Sequence, residues 1–325
     1  MSEFSGDLGS RRTHRLMLDP DGSALQPAHH PLIAAIEPWR GWVGRGEVAN
    51  WLGVLSSAAM WLDGTGPTLR DQWHLLAPSF RRRYVYTSRP PFNHEYIEWL
   101  AVAETVASAR GRFVMIELGA GWGRWLLNAA ALARRCDNLI LQFIGVEAEP
   151  RHYRWLLKHF QRNGLPPRDH DLIPAAVTGR AGPGPVPFYV GRAVDWWGQC
   201  LVIPGQGLKE VSPRLRRGIR IRQVPSLTLA ALLARYPHVD YIDCDIQGAE
   251  LEVFAAAAEE VERRVRSVFI ETHRSENEAG LRAMFRGLGW TNLADYPRGE
   301  TSKTPYGSIT FPDGVQRWVN PRFAT

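Results

Sequence analysis

The chain has little cysteine and almost no lysine. Its three cysteines, Cys136, Cys200 and Cys244, are widely spaced and make no C-x-x-C pair. So sparse and odd a set argues against a disulfide framework and a zinc cluster, and it fits a reducing, cytoplasmic compartment. Lys158, Lys209 and Lys303 are the only lysines, so arginine carries nearly all the positive charge behind the net +6. Nowhere do about 18 uncharged apolar residues run together, so no transmembrane helix and no membrane partner are expected. The opening "MSEFSGDLGSRRTHRLMLDPDGSALQ" lacks the apolar stretch of a secretory signal. One basic cluster, "RLRRGIRIR" at 214–222, has no interleaved aromatics. A solvated edge or an anionic substrate suits it better than nucleic acid.

What is present is the composition of a globular protein, with 325 residues, 45% of them hydrophobic. That is enough for a sizeable core. Residues 1–30 read as a mobile tail, and 31–91 as a Trp-rich helical extension that buries its aromatics on the main domain. The "RPP" at 89–91 interrupts it, because prolines end helices. From residue 92 to 325 strands alternate with helices of 10–15 residues, which predicts βαβ units and a parallel sheet. "FVMIEL", "LILQFIGV", "DLIPAAV", "VDYIDCD" and "RSVFIET" read as strands, and "WTNLADY" and "YGSITF" as two more near the end. A Pro/Gly-rich insertion spans 179–218.

Ligands of an open parallel sheet sit beyond the carboxyl ends of its strands, usually after the first one. "GAGWG", with Gly119, Gly121 and Gly123, occupies that place. The dinucleotide fingerprint requires a third glycine where this chain has Arg124. Glu117, two residues before the first glycine, would repel a pyrophosphate and favour a ligand with positive centres. S-adenosylmethionine carries an ammonium and a sulfonium. Glu147, at the end of the second strand, is placed to accept hydrogen bonds from ribose hydroxyls, as in any adenosine site.

The series "IELGAGWG", "GVEAEP", "RNG", "AAVTG", "DYIDCDIQGAELEVF" and "VFIETH" resembles the FkbM family of S-adenosylmethionine-dependent methyltransferases. The resemblance runs over roughly residues 92–320, tail "YGSITFPDGVQRWVNP" included. It implies an α/β, Rossmann-like class I methyltransferase sheet, mostly parallel with an antiparallel last strand. It also implies O-methylation of a hydroxyl on a sugar or specialised metabolite. By the same resemblance Glu117, Gly119, Ala120, Gly121, Glu147 and Ala148 contact S-adenosylmethionine, and Ala176 lies near its adenine. Asp245 would face the methionine end or the acceptor.

An attacking hydroxyl must lose its proton, so a base is expected at a strand end near the donor. Asp245 and His273 both qualify by position, and histidine also by its intrinsic pKa. Asp243, Asp245, Glu250, Glu271 and His273 could ligate a hard cation, but no ligand motif supports one, so no metal is expected. "HEYIE" at 94–98 lacks the second histidine of a zinc motif. Glu95 and Tyr96 are candidates to lie over the donor site, and Asp195, Trp196 and Trp197 to line an acceptor pocket. A small-molecule or glycan acceptor and a possible homo-oligomer complete the expectation. Its rivals are an NAD-dependent oxidoreductase and a non-catalytic donor-binding module.

Overall fold

The computed structural model describes residues 28–61, 81–136, 138–180, 182, 184–191, 198–203 and 218–323. The N-terminal part holds one short helix, α1 (Pro31–Ala34), and the strands β1 (Arg40–Val43), β2 (Glu47–Ala49), β3 (Leu55–Ser57) and β4 (Arg83–Tyr86). β1 pairs with β4 and β2 with β3, both antiparallel. Over its described residues the expected helical extension is therefore corrected to short antiparallel strand pairs, of which β2–β3 is a hairpin. "RGWV" and "RYVY" alternate at the two-residue period of a strand, and Gly46 and Gly53 take positive φ in the turns between. The extension does dock on the domain: Trp51 meets Trp99 edge to face at 5.4 Å, and Asn50 Nδ2 donates to Asn128 at 2.7 Å.

The domain runs α2 (Tyr96–Ser108), β5 (Arg112–Leu118), α3 (Arg124–Ala133), β6 (Ile140–Val146), α4 (Pro150–Arg162), β7 (Asp171–Ile173) and β8 (Ala176–Thr178). β9 (Val186–Val190), β10 (Arg220–Val224), β11 (Ser226–Thr228) and α5 (Leu229–Leu233) follow. Next come β12 (Tyr241–Cys244), α6 (Glu250–Ala256), α7 (Ala258–Arg264), β13 (Ser267–Thr272) and α8 (Ser275–Gly287). The last strands are β14 (Thr291–Tyr296), β15 (Glu300–Thr304), β16 (Gly307–Phe311) and β17 (Gly314–Val319).

Seven strands form one sheet in the order β14-β17-β13-β12-β5-β6-β7. It is parallel from β13 to β7, and β17 runs antiparallel between β13 and β14. The centre is buried on both faces, which is why "FVMIEL" reads as a continuous apolar run rather than an alternating one. α2 and α3 pack in the core on one face with the N-terminal segment, while α5 to α8 pack on the other around Trp318. Winding reverses between β5 and β12, and a crevice opens there beyond the strand ends.

Two strand expectations change. "DLIPAAV" is two strands, because Pro174 has no N–H for the ladder; β7 edges the main sheet, and β8 pairs with β11 instead. "YGSITF" forms a hairpin with β15, and the antiparallel strand of the main sheet is "GVQRWV". Among the described residues no helix is long and apolar enough to cross a membrane. None of the three cysteines forms a disulfide.

Candidate active site

A cleft of about 910 Å³ opens over the carboxyl ends of β5, β6, β12 and β13. Its glycine loop is fixed by backbone geometry. Gly119 has φ +77°, and a Cβ there would lie 1.9 Å from the Asp245 carbonyl oxygen. Only glycine lets the two loops approach so closely. Gly121, also at positive φ, has nothing within 4 Å of its would-be Cβ, so the loop is open on that side. Gly119 and Ala120 donate their N–H groups to the Val146 carbonyl at 3.0 Å, which ties the loop to β6.

Glu117 is 4% exposed and caps α3, accepting from the Trp125 and Leu126 N–H groups at 3.2 Å each. Burial, aided by Asp243, pushes its pKa well above the usual carboxylate range. Glu147, 6% exposed, accepts from the Gly121 and Glu149 N–H groups at 2.6 Å, and burial pushes it up to about 8. Glu149 in turn caps α4 through the Arg151 and His152 N–H groups. Each acid of this half is held by backbone N–H groups, and the first two line the cleft.

Arg124 stands where a dinucleotide site needs glycine. It forms a bidentate pair with Glu95 at 2.7 and 2.6 Å and lies over the Trp125 ring. Glu95 thus borders the cleft, as expected. Tyr96 does not. Its ring is buried among Phe92, His29 and Tyr306, and its hydroxyl accepts the His30 N–H at 3.0 Å. Ala176 is not brought to the cleft either; it packs with Phe188, Val190 and Val224, and Ala175 and Val177 form the wall. The break at Pro174 sets that register. Ala120 and Ala148 line the cleft. Asp195, Trp196 and Trp197 lie outside the described residues.

Across the crevice the acids are held by side chains. Asp245 follows β12 and His273 follows β13, and His273 Nε2 is 3.4 Å from Asp245 Oδ1. The Gln247 amide bridges them, 2.6 Å from Asp245 and 2.7 Å from His273. On its other side His273 Nδ1 meets Glu250 at 2.8 Å; Glu250 is fully buried and also accepts the Gly248 N–H. Burial alone would lower His273, but the hydrogen bond to and charge of Glu250, with Asp245 and Asp313, push it up to about 10. Burial would raise Glu250, yet His273 and the Gly248 N–H hold it below the usual range. The acids around His273 favour its protonated form, against the role of ready base expected for it.

Sequence reasoning missed Glu98, which is 3% exposed and lines this floor. Burial, Asp243 and Glu271 push it well above the carboxylate range. Its carboxyl hydrogen-bonds that of Asp243, and among the described residues it forms no ion pair. In the sequence it stands only as the residue that spoils the zinc motif in "HEYIE". Asp245, Glu271 and His273 place ligand atoms within 4.8 Å of one another, and these three could hold a cation.

The profile of the family described as "Methyltransferase FkbM domain" matches residues 117–289, over half of the chain. The chain belongs to the FkbM methyltransferase family. The match begins at Glu117 and ends just past α8, and it takes in the glycine loop, Glu147, Asp245 and His273, while Glu95, Glu98 and Asp313 of the cleft lie outside it. Over 200 residues this FkbM chain is 26% identical to a Jannaschia sp. (strain CCS1) protein named "Putative methyltransferase", covering 62% of this chain and 70% of that one. Among solved structures it is similar to precorrin-6y C5,15-methyltransferase from Geobacter metallireducens GS-15. There the identity is 12%, over 68% of this chain and 86% of that one, with a TM-score of 0.35. The N-terminal domain of human METTL16 in complex with SAH is 13% identical over 71% of each chain, with a TM-score of 0.35.

Proposed function

We propose that this FkbM-family chain is an S-adenosylmethionine-dependent methyltransferase that O-methylates a hydroxyl of a sugar or specialised metabolite. The observation that carries the donor is the open face of Gly121 between two buried carboxylates. Glu147 is placed for ribose hydroxyls, and the neighbouring glycines let a ligand lie against backbone. Glu117 does not meet the donor's ammonium as a free carboxylate. It holds the α3 N-terminus, and so the shape of the loop.

The sulfonium of the donor supplies a methyl carbon already activated for displacement. The chain's task is to align the acceptor oxygen with it and to take the hydroxyl proton. With His273 charged, that proton goes to the Asp245 carboxylate, which burial raises and His273 and Gln247 hold down. His273 positions Asp245 and is itself fixed by Glu250. The oxygen–carbon bond forms as the carbon–sulfur bond breaks, and the proton ends on Asp245.

Calorimetric titration of the purified protein with S-adenosylmethionine, S-adenosylhomocysteine and NAD tests the donor. The first two are expected to bind and NAD is not. Binding of NAD alone would remove the methyl-transfer reading. Screening hydroxylated acceptors for S-adenosylhomocysteine release then tests the chemistry.

A further inference from the structure

Arg274 is the residue that this reading leaves unexplained. It follows His273 at the end of β13, flanks the start of α8, and lines the cleft. Its Nη2 is shut off from solvent and, among the described residues, has no hydrogen-bond partner. Among the described residues its guanidinium forms no ion pair. The other arginines of the cleft are committed: Arg124 to Glu95, and Arg298 to Asp313 at 3.5 Å. A buried N–H without an acceptor is costly, and more so when the group is charged.

Three further observations show where the missing acceptor belongs. Gly248 has φ +106°, and a Cβ there would lie 3.2 Å from Arg274 Nε, so the side chain rests against the loop after β12. No side chain caps α8, a helix of 13 residues, at the end where Arg274 sits. Cations are disfavoured at a helix N-terminus, so guanidinium and helix together make one positive corner. The charge of Arg274 also reaches the buried Cys200 thiol, which places it beside residues 198–201 on the rim. This corner lies across β12 from the glycine loop, on the acceptor's side of the crevice.

The geometry points to an anion subsite: Arg274 and the uncapped start of α8 bind a carboxylate or phosphate group carried by the methyl acceptor. The acceptor is then an anionic hydroxyl compound, such as a uronic acid or a phosphorylated sugar. This deepens, and rests on, the methyl-transfer reading. Of the surrounding acids, Glu250 and Asp245 face His273, Asp313 faces Arg298, Glu278 accepts the Arg298 N–H and the Thr272 hydroxyl, burial pushes Glu271 well above the carboxylate range, and Glu276 is solvent-exposed.

The test is calorimetric titration of the full chain with D-glucuronate, inorganic phosphate and D-glucose, each with and without saturating S-adenosylhomocysteine. Glucuronate or phosphate should bind, and glucose should bind about 10-fold more weakly or not at all. Whichever anion binds more tightly separates the carboxylate source from the phosphate source. Arg274→Gln should weaken the anions by about 10-fold or more while leaving S-adenosylhomocysteine within about 2-fold. Arg274→Lys should restore part of the loss, which a merely structural role would not show. Equal binding of glucose, no response to either anion, or unchanged anion binding in Arg274→Gln would overturn the subsite. Equal weakening of S-adenosylhomocysteine and anions would do the same, because it gives Arg274 to the donor. Anion binding that depends on Arg274 in a protein that ignores S-adenosylhomocysteine would keep the subsite and remove the methyl-transfer reading.

Discussion

The two sides of the crevice hold their acids by different means. On the β5–β6 side Glu117, Glu147 and Glu149 each accept two hydrogen bonds from backbone N–H groups, so their positions follow from where two helices and one loop begin. On the β12–β13 side Asp245 depends on Gln247 and His273, Glu250 on His273 and Asn277 besides the Gly248 N–H, and Glu98 shares a hydrogen bond with the Asp243 carboxyl. Backbone donors survive every substitution except one to proline, and they barely move. Side-chain donors can be exchanged or recharged. The first side suits a ligand that never changes, and the second a partner that differs between enzymes.

The largest effect should come from the backbone side. Gly119→Ala puts a Cβ into the Asp245 carbonyl at positive φ, at a cost of about 3 kcal/mol or more. Expressed in binding, that is a loss of more than about 100-fold in S-adenosylhomocysteine affinity, measurable by calorimetry. Unchanged affinity and melting temperature would break the comparison at once.

Glu250→Gln should act on turnover instead. Loss of the anchor for His273 is expected to lower kcat by about 100-fold, the range of acid–base contributions, with donor-product affinity unchanged. A parallel fall in donor-product affinity would show that the two sides are one unit.

Glu147 gives a pH signature. It titrates at about 8 when free, and ribose hydroxyls favour its charged form, so donor binding should release a proton below that pH. Affinity should rise as pH climbs toward 8 and level off above it. Glu147→Gln should weaken S-adenosylhomocysteine by about 10-fold and abolish the slope. Calorimetry in buffers of different ionisation enthalpy reads the proton directly, and a slope that survives in the variant counts against Glu147.

The smallest effect is expected at Glu98. Its folded pKa is raised, so its contribution to stability is present at low pH and lost as pH rises through that raised value. Glu98→Gln should change stability by less than about 0.5 kcal/mol at pH 5 and make the protein more stable than wild type at pH 9. Denaturant melts at the two pH values decide this. Destabilisation at both would mean that the hydrogen bond to Asp243 outweighs the cost of the buried charge.

Legibility in the sequence followed the same division. β5, β6, the glycine loop and Glu147 could be read because backbone-built sites announce themselves as glycines and strand-end acids in a short window. Asp245 and His273 were visible as strand ends, but the charge of His273 was not, because it depends on Glu250, held from another helix. Glu98 and Arg274 escaped because burial is set by tertiary packing. Arg274 did carry one overlooked signal, a cation at the start of a helix, where acids are the rule. Pro174 was an explicit warning that "DLIPAAV" is two strands, and with it that Ala176 turns away from the cleft. The alternation in "RYVY" likewise marked the extension as strands.

The place of β17 has a consequence for how the molecule is made. Strands β13 and β14 are joined through α8 but are not neighbours; β17, the last strand in the chain, slots between them. During synthesis the N-terminal portions emerge first, so the donor half can pack while this gap stays open. Asp313, one residue before β17, reaches His273 only when the strand inserts. Methyl-donor affinity should therefore appear before transferase activity along the folding path, with closure of the sheet as the late, long-range step.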